Sequence, residues 1–339
     1  MSRQYCYPKN KKMPCVVLAF KWLPVLLIVS IITWSYYAYV IQLCIFTIES
    51  TVQQCVYLVL YHVLLIMFSW SYWRTIFAEV KLIPDKYKLP EAELEKLLAA
   101  ESEDAQRTVL ENFAKDLPIV TRTMSGSVRY CNRCVLVKPD RAHHCSICAR
   151  CVLKMDHHCP WVNNCVCFHN YKFFMLFLGY ALLYCLFIMA TCLPYFIKFW
   201  KVSASAGRYH IVFAFFVALM FAISLGSLFG YHCYLVANNR TTLEAFRAPM
   251  FRGGADKNGF SIGAFNNFKE VFGNSPNLWM VPVFTRVSQF VKTNINNITV
   301  LYLNVALLIS ILACHSIDGK VELVSSAILY LFIVYIQNL

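Results

Sequence analysis

The sequence predicts an all-α integral membrane protein: a four-helix transmembrane bundle with a cytosolic, two-zinc, cysteine-rich module of short hairpins between spans two and three. Three observations lead there. Hydrophobic residues make up 59% of the 339-residue chain and charged residues only 14%, far from the balance of a soluble domain. The apolar residues gather in four runs long enough to cross a bilayer as helices. Eight of the sixteen cysteines and five of the nine histidines fall between Cys131 and His169.

In chain order, residues 1–21 form a basic N-terminal segment, in which Cys6 and Cys15 lie where juxtamembrane cysteines can be S-acylated. Spans one and two occupy roughly 22–47 and 56–77. The first has no small-residue cleavage site after it and reads as a retained anchor. A linker covers 78–129. Within it, Leu94, Leu97, Leu98, Val109, Leu110 and Phe113 recur at helical spacing after Pro90, as in a solvated helix packed on the module behind it. The cysteine-rich segment covers 130–172, and spans three and four follow at roughly 173–199 and 211–236. Residues 237–293 form a C-terminal segment, and 294–339 an atypical hydrophobic tail. The sequon at Asn297 falls on the cytosolic side in this topology, where it is silent.

Charge sets the orientation. Residues 1–21 carry five Lys/Arg and no acid, and the stretch Arg74–Lys172, which joins spans two and three, carries fifteen. The loop between spans one and two carries none, and that between spans three and four only Lys198, Lys201 and Arg208. The positive-inside rule places the N-terminus and the Cys/His segment in the cytosol. The net charge of +13 then faces the bilayer surface and an anionic co-substrate. Nucleic acid is not an expected partner, because no basic stripe is interleaved with aromatics.

The cytosol is reducing, so clustered cysteines there point to metal or catalysis rather than disulfides. Three Cys-x-x-Cys steps (Cys131/Cys134, Cys145/Cys148, Cys148/Cys151) have zinc-ligand spacing. Two sites of three cysteines and one histidine each would consume six of the eight cysteines. One left over, Cys159, directly follows Asp156, His157 and His158, a thiol beside an imidazole and a carboxylate. The triplets His143-His144-Cys145 and His157-His158-Cys159 lie fourteen residues apart, an internal echo that suggests two small knuckles built on similar turns.

The string DHHCPWVNNC, preceded by KPDRAHHCSICARCVLKM, resembles the cysteine-rich domain of DHHC-type protein S-acyltransferases. The likeness is specific over about residues 130–174 and extends, with the four-span layout, over about 15–275. The flanking WSYYAYV, SYWRTIF and NYKFF are similar to one four-span subgroup. The resemblance implies a first zinc site of Cys131, Cys134, His144 and Cys151, and a second of Cys145, Cys148, His158 and Cys165. Both would be structural, having four protein ligands and no open position. Their task would be to fix the Asp156–Cys159 turn, which Pro160 and Trp161 restrict and cover.

Cys159 is then the expected nucleophile, His157 the base that takes its proton, and Asp156 the group that holds the other imidazole nitrogen. The expected reaction is a two-step transfer of a long-chain, palmitoyl-type acyl group from acyl-CoA, through acyl-Cys159, to cysteines of membrane-proximal proteins. Lys138, Arg141 and His143 are the expected contacts for CoA phosphates. Ser35, Tyr36, Tyr184 and Phe174 are expected to line an acyl-chain pocket in spans one and three. Thr241, Thr242 and Glu244 match the family's TTxE element, which also reads as a capping box. Asn267 matches the Asn of its C-terminal motif. The Golgi is the expected compartment, with plasma membrane and endosome as alternatives. Two features depart from the family: Cys167 stands where it usually has glycine, so that a further thiol near Cys159 could disturb the turn or be acylated, and the tail is not polar.

Two other classes compete. A membrane-anchored zinc adaptor or ubiquitin-ligase-like module would give Cys159 no chemical role. A transporter or channel would want ionisable groups inside the spans, for which only His62 and His232 stand out.

Overall fold

The computed structural model describes residues 15–199 and 206–284. Cys6, the sequon at Asn297 and the tail 294–339 lie outside the described residues.

Among the described residues, four helices are long and apolar enough to span a membrane: Ala19–Ile45, Thr51–Phe77, Tyr171–Lys198 and Tyr209–Ala237. The chain is a multi-pass membrane protein. The first span joins helix α1 (Cys15–Tyr36) to π-helical turns over Tyr37–Ile45. The second, α2, starts at Thr51, five residues before the expected run, because Gln53 and Gln54 dilute the apolar pattern there. Gln54 is buried, and its Nε2 donates to the Cys44 carbonyl at 2.9 Å, which makes its place in the helix tolerable.

The linker helix expected after Pro90 is two helices, α3 (Glu91–Ala99) and α4 (Glu103–Ala114). The break has a local cause: the Ser102 side chain accepts from the Ala105 N–H at 3.1 Å and starts a new helix as its N-cap. Leu97, Ile83, Tyr87, Leu89, Ile119 and Val128 of the linker then pack with Leu136, Val137 and Ala142 of the cysteine-rich segment in one apolar cluster, against which Val109, Leu110 and Phe113 also lie. The forty cysteine-rich residues are too few for a core, and the linker supplies the rest.

The cysteine-rich segment is three antiparallel two-stranded hairpins: β1 (Tyr130–Cys131) with β2 (Leu136–Val137), β3 (His143–Cys145) with β4 (Arg150–Val152), and β5 (Met155–Cys159) with β6 (Asn164–Cys167). Spans three and four are α5 (Tyr171–Phe199) and α6 (Ala206–Ala237). They are followed by α7 (Thr242–Phe246), a β7–β8 hairpin (Met250–Phe251, Gly254–Ala255) and α8 (Ala264–Phe272).

The chain divides into two compact units. Among the described residues, one holds 15–28, Tyr72–Leu176 and 229–284; it contains the hairpins, α3, α4, α7 and α8. The other holds Val29–Ser71 and Phe177–Leu228, the greater part of the four spans.

Candidate active site and metal centres

The hairpin register explains why two metal sites interleave. In β3–β4, His144 stands opposite Cys151. In β5–β6, His158 stands opposite Cys165. Each pair is completed by the Cys-x-x-Cys turn of the preceding hairpin, Cys131 and Cys134 for the first and Cys145 and Cys148 for the second. The residue after each of these turns, Val135 and Ala149, has φ of 51°. For a β-branched valine that is a costly backbone state, kept only where the surroundings impose it.

The donor atoms fit zinc. His144 Nδ1 lies 3.6, 3.2 and 3.8 Å from the Sγ atoms of Cys131, Cys134 and Cys151. His158 Nδ1 lies 3.7, 3.4 and 3.6 Å from those of Cys145, Cys148 and Cys165. A tetrahedral zinc with its usual Zn–S and Zn–N lengths places sulfur and nitrogen about 3.6 Å apart. Both groups of four therefore have the chemistry and the spacing to hold a metal ion.

Strand β5 carries Asp156, His157 and Cys159. His157 and Cys159, two apart, point to the same side of the strand. Asp156 falls at a register shift between Met155 and His157, where the extra residue re-aims its carboxylate. Asp156 Oδ2 accepts from His157 Nδ1 at 2.6 Å. Asp156 also accepts from Thr242, whose N–H donates to Oδ1 at 2.8 Å and whose hydroxyl donates to Oδ2 at 2.7 Å. Burial alone would raise this carboxyl, but the His157 and Thr242 bonds hold it below its ordinary value. Burial alone would lower His157. The bond to Asp156 and a bond to the Cys159 thiol outweigh burial and raise the imidazole to about 9. With Nδ1 on Asp156, Nε2 is the nitrogen left to face Cys159.

The turn after Cys159 is fastened from α2. Asn164, opposite Cys159 in β6, donates through Nδ2 to the carbonyls of Thr75, Ile76 and Ala78 at 3.0–3.2 Å, occupying acceptors that the end of α2 leaves open. Tyr72 donates its hydroxyl to the Trp161 carbonyl at 2.7 Å. Trp161 itself is 50% exposed; its backbone rather than its ring steadies the turn, which corrects the expected covering role. Pro160 opens a short 3-10 turn that ends at Asn163 in the left-handed region, φ 46°.

Arg141 does not present itself to a phosphate. It is buried, its Nε and Nη2 donate to the Glu244 carboxylate at 2.8 and 2.6 Å, and its Nη1 and Nη2 donate to Asn239. This corrects the phosphate contact expected from its position beside the catalytic turn. Burial lowers His143 to about 4, reinforced by Arg129 and Lys138, so it stays neutral. Lys138 is half-buried, as His143 is, and among the described residues its ammonium, unlike the Arg141 guanidinium, is not paired with a carboxylate.

The segment after α6 is built on the same network. Thr241 and Glu244 form a reciprocal capping box at the start of α7. Asn267 is buried, donating to the Ala237 carbonyl at 2.7 Å and accepting from the Ile262 N–H at 3.0 Å. Lys154 donates to Asn239 Oδ1 at 2.9 Å and to Glu270 at 2.8 Å. Sequence reasoning missed Tyr72, Lys154, Asn164, Asn239 and Glu270. No local pattern marks them, since each acts on a residue between 85 and 116 positions away.

Of the residues expected around an acyl chain, Phe174 is buried with its ring 5.5 Å from that of His157, edge to face. In the other unit, Ser35 Oγ and Tyr184 OH are hydrogen-bonded at 2.7 Å, and Tyr184 OH meets Tyr61 OH at 2.7 Å. Tyr36 OH lies 3.3 Å from His62 Nε2, and His62 Nδ1 bonds the Leu58 carbonyl oxygen. His62 is thus satisfied locally, as a packed span histidine should be. His232, on α6, is buried; its Nδ1 lies 2.8 Å from the Tyr171 hydroxyl, and its ring centroid lies 5.9 Å from that of His157.

Residues 125–248 match the family model described as DHHC palmitoyltransferase. The chain is 56% identical over 266 residues to Palmitoyltransferase ZDHHC2 of Danio rerio, an alignment covering 78% of this chain and 74% of the relative. It is 57% identical over 267 residues to Palmitoyltransferase ZDHHC2 of Homo sapiens, covering 78% and 72%. It is 51% identical over 273 residues to Palmitoyltransferase ZDHHC15 of Xenopus laevis, covering 80% and 81%.

Proposed function

The chain belongs to the DHHC palmitoyltransferase family, and from that premise we propose that it moves a long-chain acyl group from acyl-CoA to cysteines of membrane-proximal proteins through an acyl-Cys159 enzyme. The overall activity is that of a protein-cysteine S-palmitoyltransferase. The observation that carries the residue assignment is the 2.6 Å bond between Asp156 and His157, with Cys159 as the imidazole's other partner.

In the first step the Cys159 proton is held on His157 Nε2, whose basicity Asp156 raises, and the thiolate sulfur attacks the thioester carbonyl. The carbon–sulfur bond to CoA breaks, and the leaving CoA sulfur recovers the proton. In the second step an acceptor cysteine attacks acyl-Cys159 in the same way, and the enzyme thiol is restored. Each step exchanges one thioester for another, so the overall free-energy change is small. Asp156 keeps the imidazole in the tautomer that leaves Nε2 open and stabilises the imidazolium while it exists.

Two zincs, held by Cys131, Cys134, His144 and Cys151 and by Cys145, Cys148, His158 and Cys165, would supply folding energy to hairpins that have little core of their own. Neither takes part in a step. Lys138 is the proposed contact for CoA phosphate. Ser35 and Tyr184 are the proposed chain-length residues, and Phe174 the apolar wall beside His157. Keeping an acyl chain in water costs about 0.8 kcal/mol per CH₂, which favours a reaction at the bilayer surface. The charge distribution supports a cytosolic site, and the Golgi is the proposed compartment.

The test is hydroxylamine-sensitive labelling of purified protein by an acyl-CoA probe, comparing wild type with Cys159→Ser at equal zinc content. Label lost in the variant, with both zincs kept, is the expected result. Label that survives would move the acyl carrier to another thiol. No label in either protein would favour the zinc-adaptor reading.

A further inference from the structure

His232 is a buried imidazole to which the acyl-transfer mechanism gives no task. It is 2% exposed, on a helix that is otherwise apolar at this level, and it stands beside the catalytic pair. Atoms of Asp156, His157 and His232 able to bind a metal lie within 4.8 Å of one another. The group shares no residue with either set of three cysteines and one histidine.

We propose that Asp156, His157 and His232 form a third, exchangeable site for a divalent cation of the zinc class, and that filling it stops acyl transfer by occupying His157. Two imidazoles and a carboxylate are a donor set that zinc accepts with one position left open. The site has no thiolate, whereas each structural set has three, so its cation is held more weakly and exchanges. Nitrogen and oxygen ligands of a tetrahedral zinc sit about 3.4 Å apart. Asp156 Oδ2 and His157 Nδ1, now 2.6 Å apart, would open slightly around the ion, and no other donor pair need close by more than about 1.4 Å.

Either ring nitrogen of His157 gives the same outcome. A cation on Nε2 takes the lone pair that would accept the Cys159 proton. A cation on Nδ1 displaces the proton now shared with Asp156 to water and leaves the proton on Nε2. Nε2 is then a donor and no longer a base. The binding half of the proposal stands by itself. The inhibition half rests on the acyl-transfer reading above.

The experiment is equilibrium dialysis of the full-length protein, with its two tightly held zincs, against buffered free zinc. Wild type and Cys159→Ser should each bind a third equivalent. His232→Gln and Asp156→Asn should lose it or bind it at least tenfold more weakly, while keeping two tight zincs. Wild-type acyl labelling should fall with the midpoint of the third equivalent and return on dialysis against a chelator too weak to strip thiolate sites. No third equivalent in wild type, its persistence in both His232→Gln and Asp156→Asn, or its loss in Cys159→Ser would overturn the site. A third equivalent without any effect on labelling would leave the site standing and remove its inhibitory role. Wild type that binds it but never labels would instead defeat the acyl-transfer reading.

Discussion

Thr242 holds Asp156 twice, through its backbone N–H at 2.8 Å and its hydroxyl at 2.7 Å, across 86 positions of chain. The carboxylate that orients His157 is itself oriented from beyond the last span. The capping box fixes Thr242 at the first turn of α7, so the start of that short helix and strand β5 are coupled.

Replacing Thr242 by valine keeps the backbone donor and the side-chain shape and removes only the hydroxyl. A hydrogen bond to a charged group is worth about 1.5–3 kcal/mol, so acyl-enzyme formation should slow about 10- to 100-fold. The loss should appear in kcat, with KM for acyl-CoA held. Thr242→Ser should stay within about threefold of wild type. Single-turnover labelling distinguishes the two.

Cys167 lies eight residues beyond Cys159 but in a different chemical setting. It is 1% exposed, and burial pushes its thiol up to about 11, against smaller opposing effects of the His169 and Asn170 backbone and Arg150. Near neutral pH roughly one molecule in several thousand would carry the thiolate. Cys167→Ala should therefore leave acyl labelling within about twofold of wild type and keep two zincs, while Cys159→Ser abolishes label. Label lost equally in both would refute this separation.

Lys154, the residue before strand β5, bonds Glu270 of α8 and Asn239 just beyond α6. Burial, helped by Arg141, lowers its ammonium to about 8, and Glu270 opposes the shift. The unfolded chain keeps the proton up to about 10.5. Between these values the unfolded state binds more protons, so this residue's contribution to stability grows as pH rises from about 8 towards 10.5 and is lost as pH falls through about 8. Relative to a Lys154→Met, Glu270→Gln double variant, wild type should gain in Tm across that window. Thermal unfolding at pH 7.5 and 9.5 measures it. A difference that stays constant or shrinks would contradict the assignment.

Arg141 and Lys138 should separate cleanly. Arg141 and Glu244 form a buried pair whose side chains are 8% and 6% exposed. Removing one partner strands the other charge and costs about 3–5 kcal/mol. Arg141→Ala should therefore reduce the yield of folded, zinc-loaded protein. Lys138→Ala should keep folding and kcat and raise KM for acyl-CoA several-fold, more so at low salt. An unchanged KM would remove Lys138 from the CoA site.

The parts legible in the sequence are those written in short stretches. The spans show as apolar runs, and the two metal groups as Cys-x-x-Cys steps repeated at a fixed offset. Asp156, His157 and Cys159 stand out because they fall within four residues. What was not legible is carried by pairs far apart in the chain, such as Asn164 with the end of α2 or Lys154 with Glu270. Arg141 is the instructive case. Beside a catalytic turn a lone arginine looks like an anion contact, and only the fold reveals Glu244 and Asn239 around it. The start of α2 was misplaced for a related reason: Gln54 is polar in sequence but is satisfied by the Cys44 carbonyl once folded.

Chain-length preference tests the span unit. Ser35 Oγ and Tyr184 OH meet at 2.7 Å, and Tyr61 OH meets Tyr184 OH at 2.7 Å; in the proposed reading these three hydroxyls act as a polar stop for the chain. A methylene pressed against such a stop gains no burial and displaces a hydrogen bond. Each buried CH₂ is worth about 0.8 kcal/mol, roughly a fourfold change per carbon. Ser35→Phe should shorten the preferred acyl chain by about two carbons. Tyr184→Ala should open volume and shift preference towards longer chains, with the ratio of C18 to C14 transfer rising by about tenfold. Competition labelling with a mixture of acyl-CoAs from C12 to C20 reads both variants together. If both shift in the same direction, the stop is elsewhere; if neither shifts while total transfer holds, Ser35 and Tyr184 serve helix packing alone.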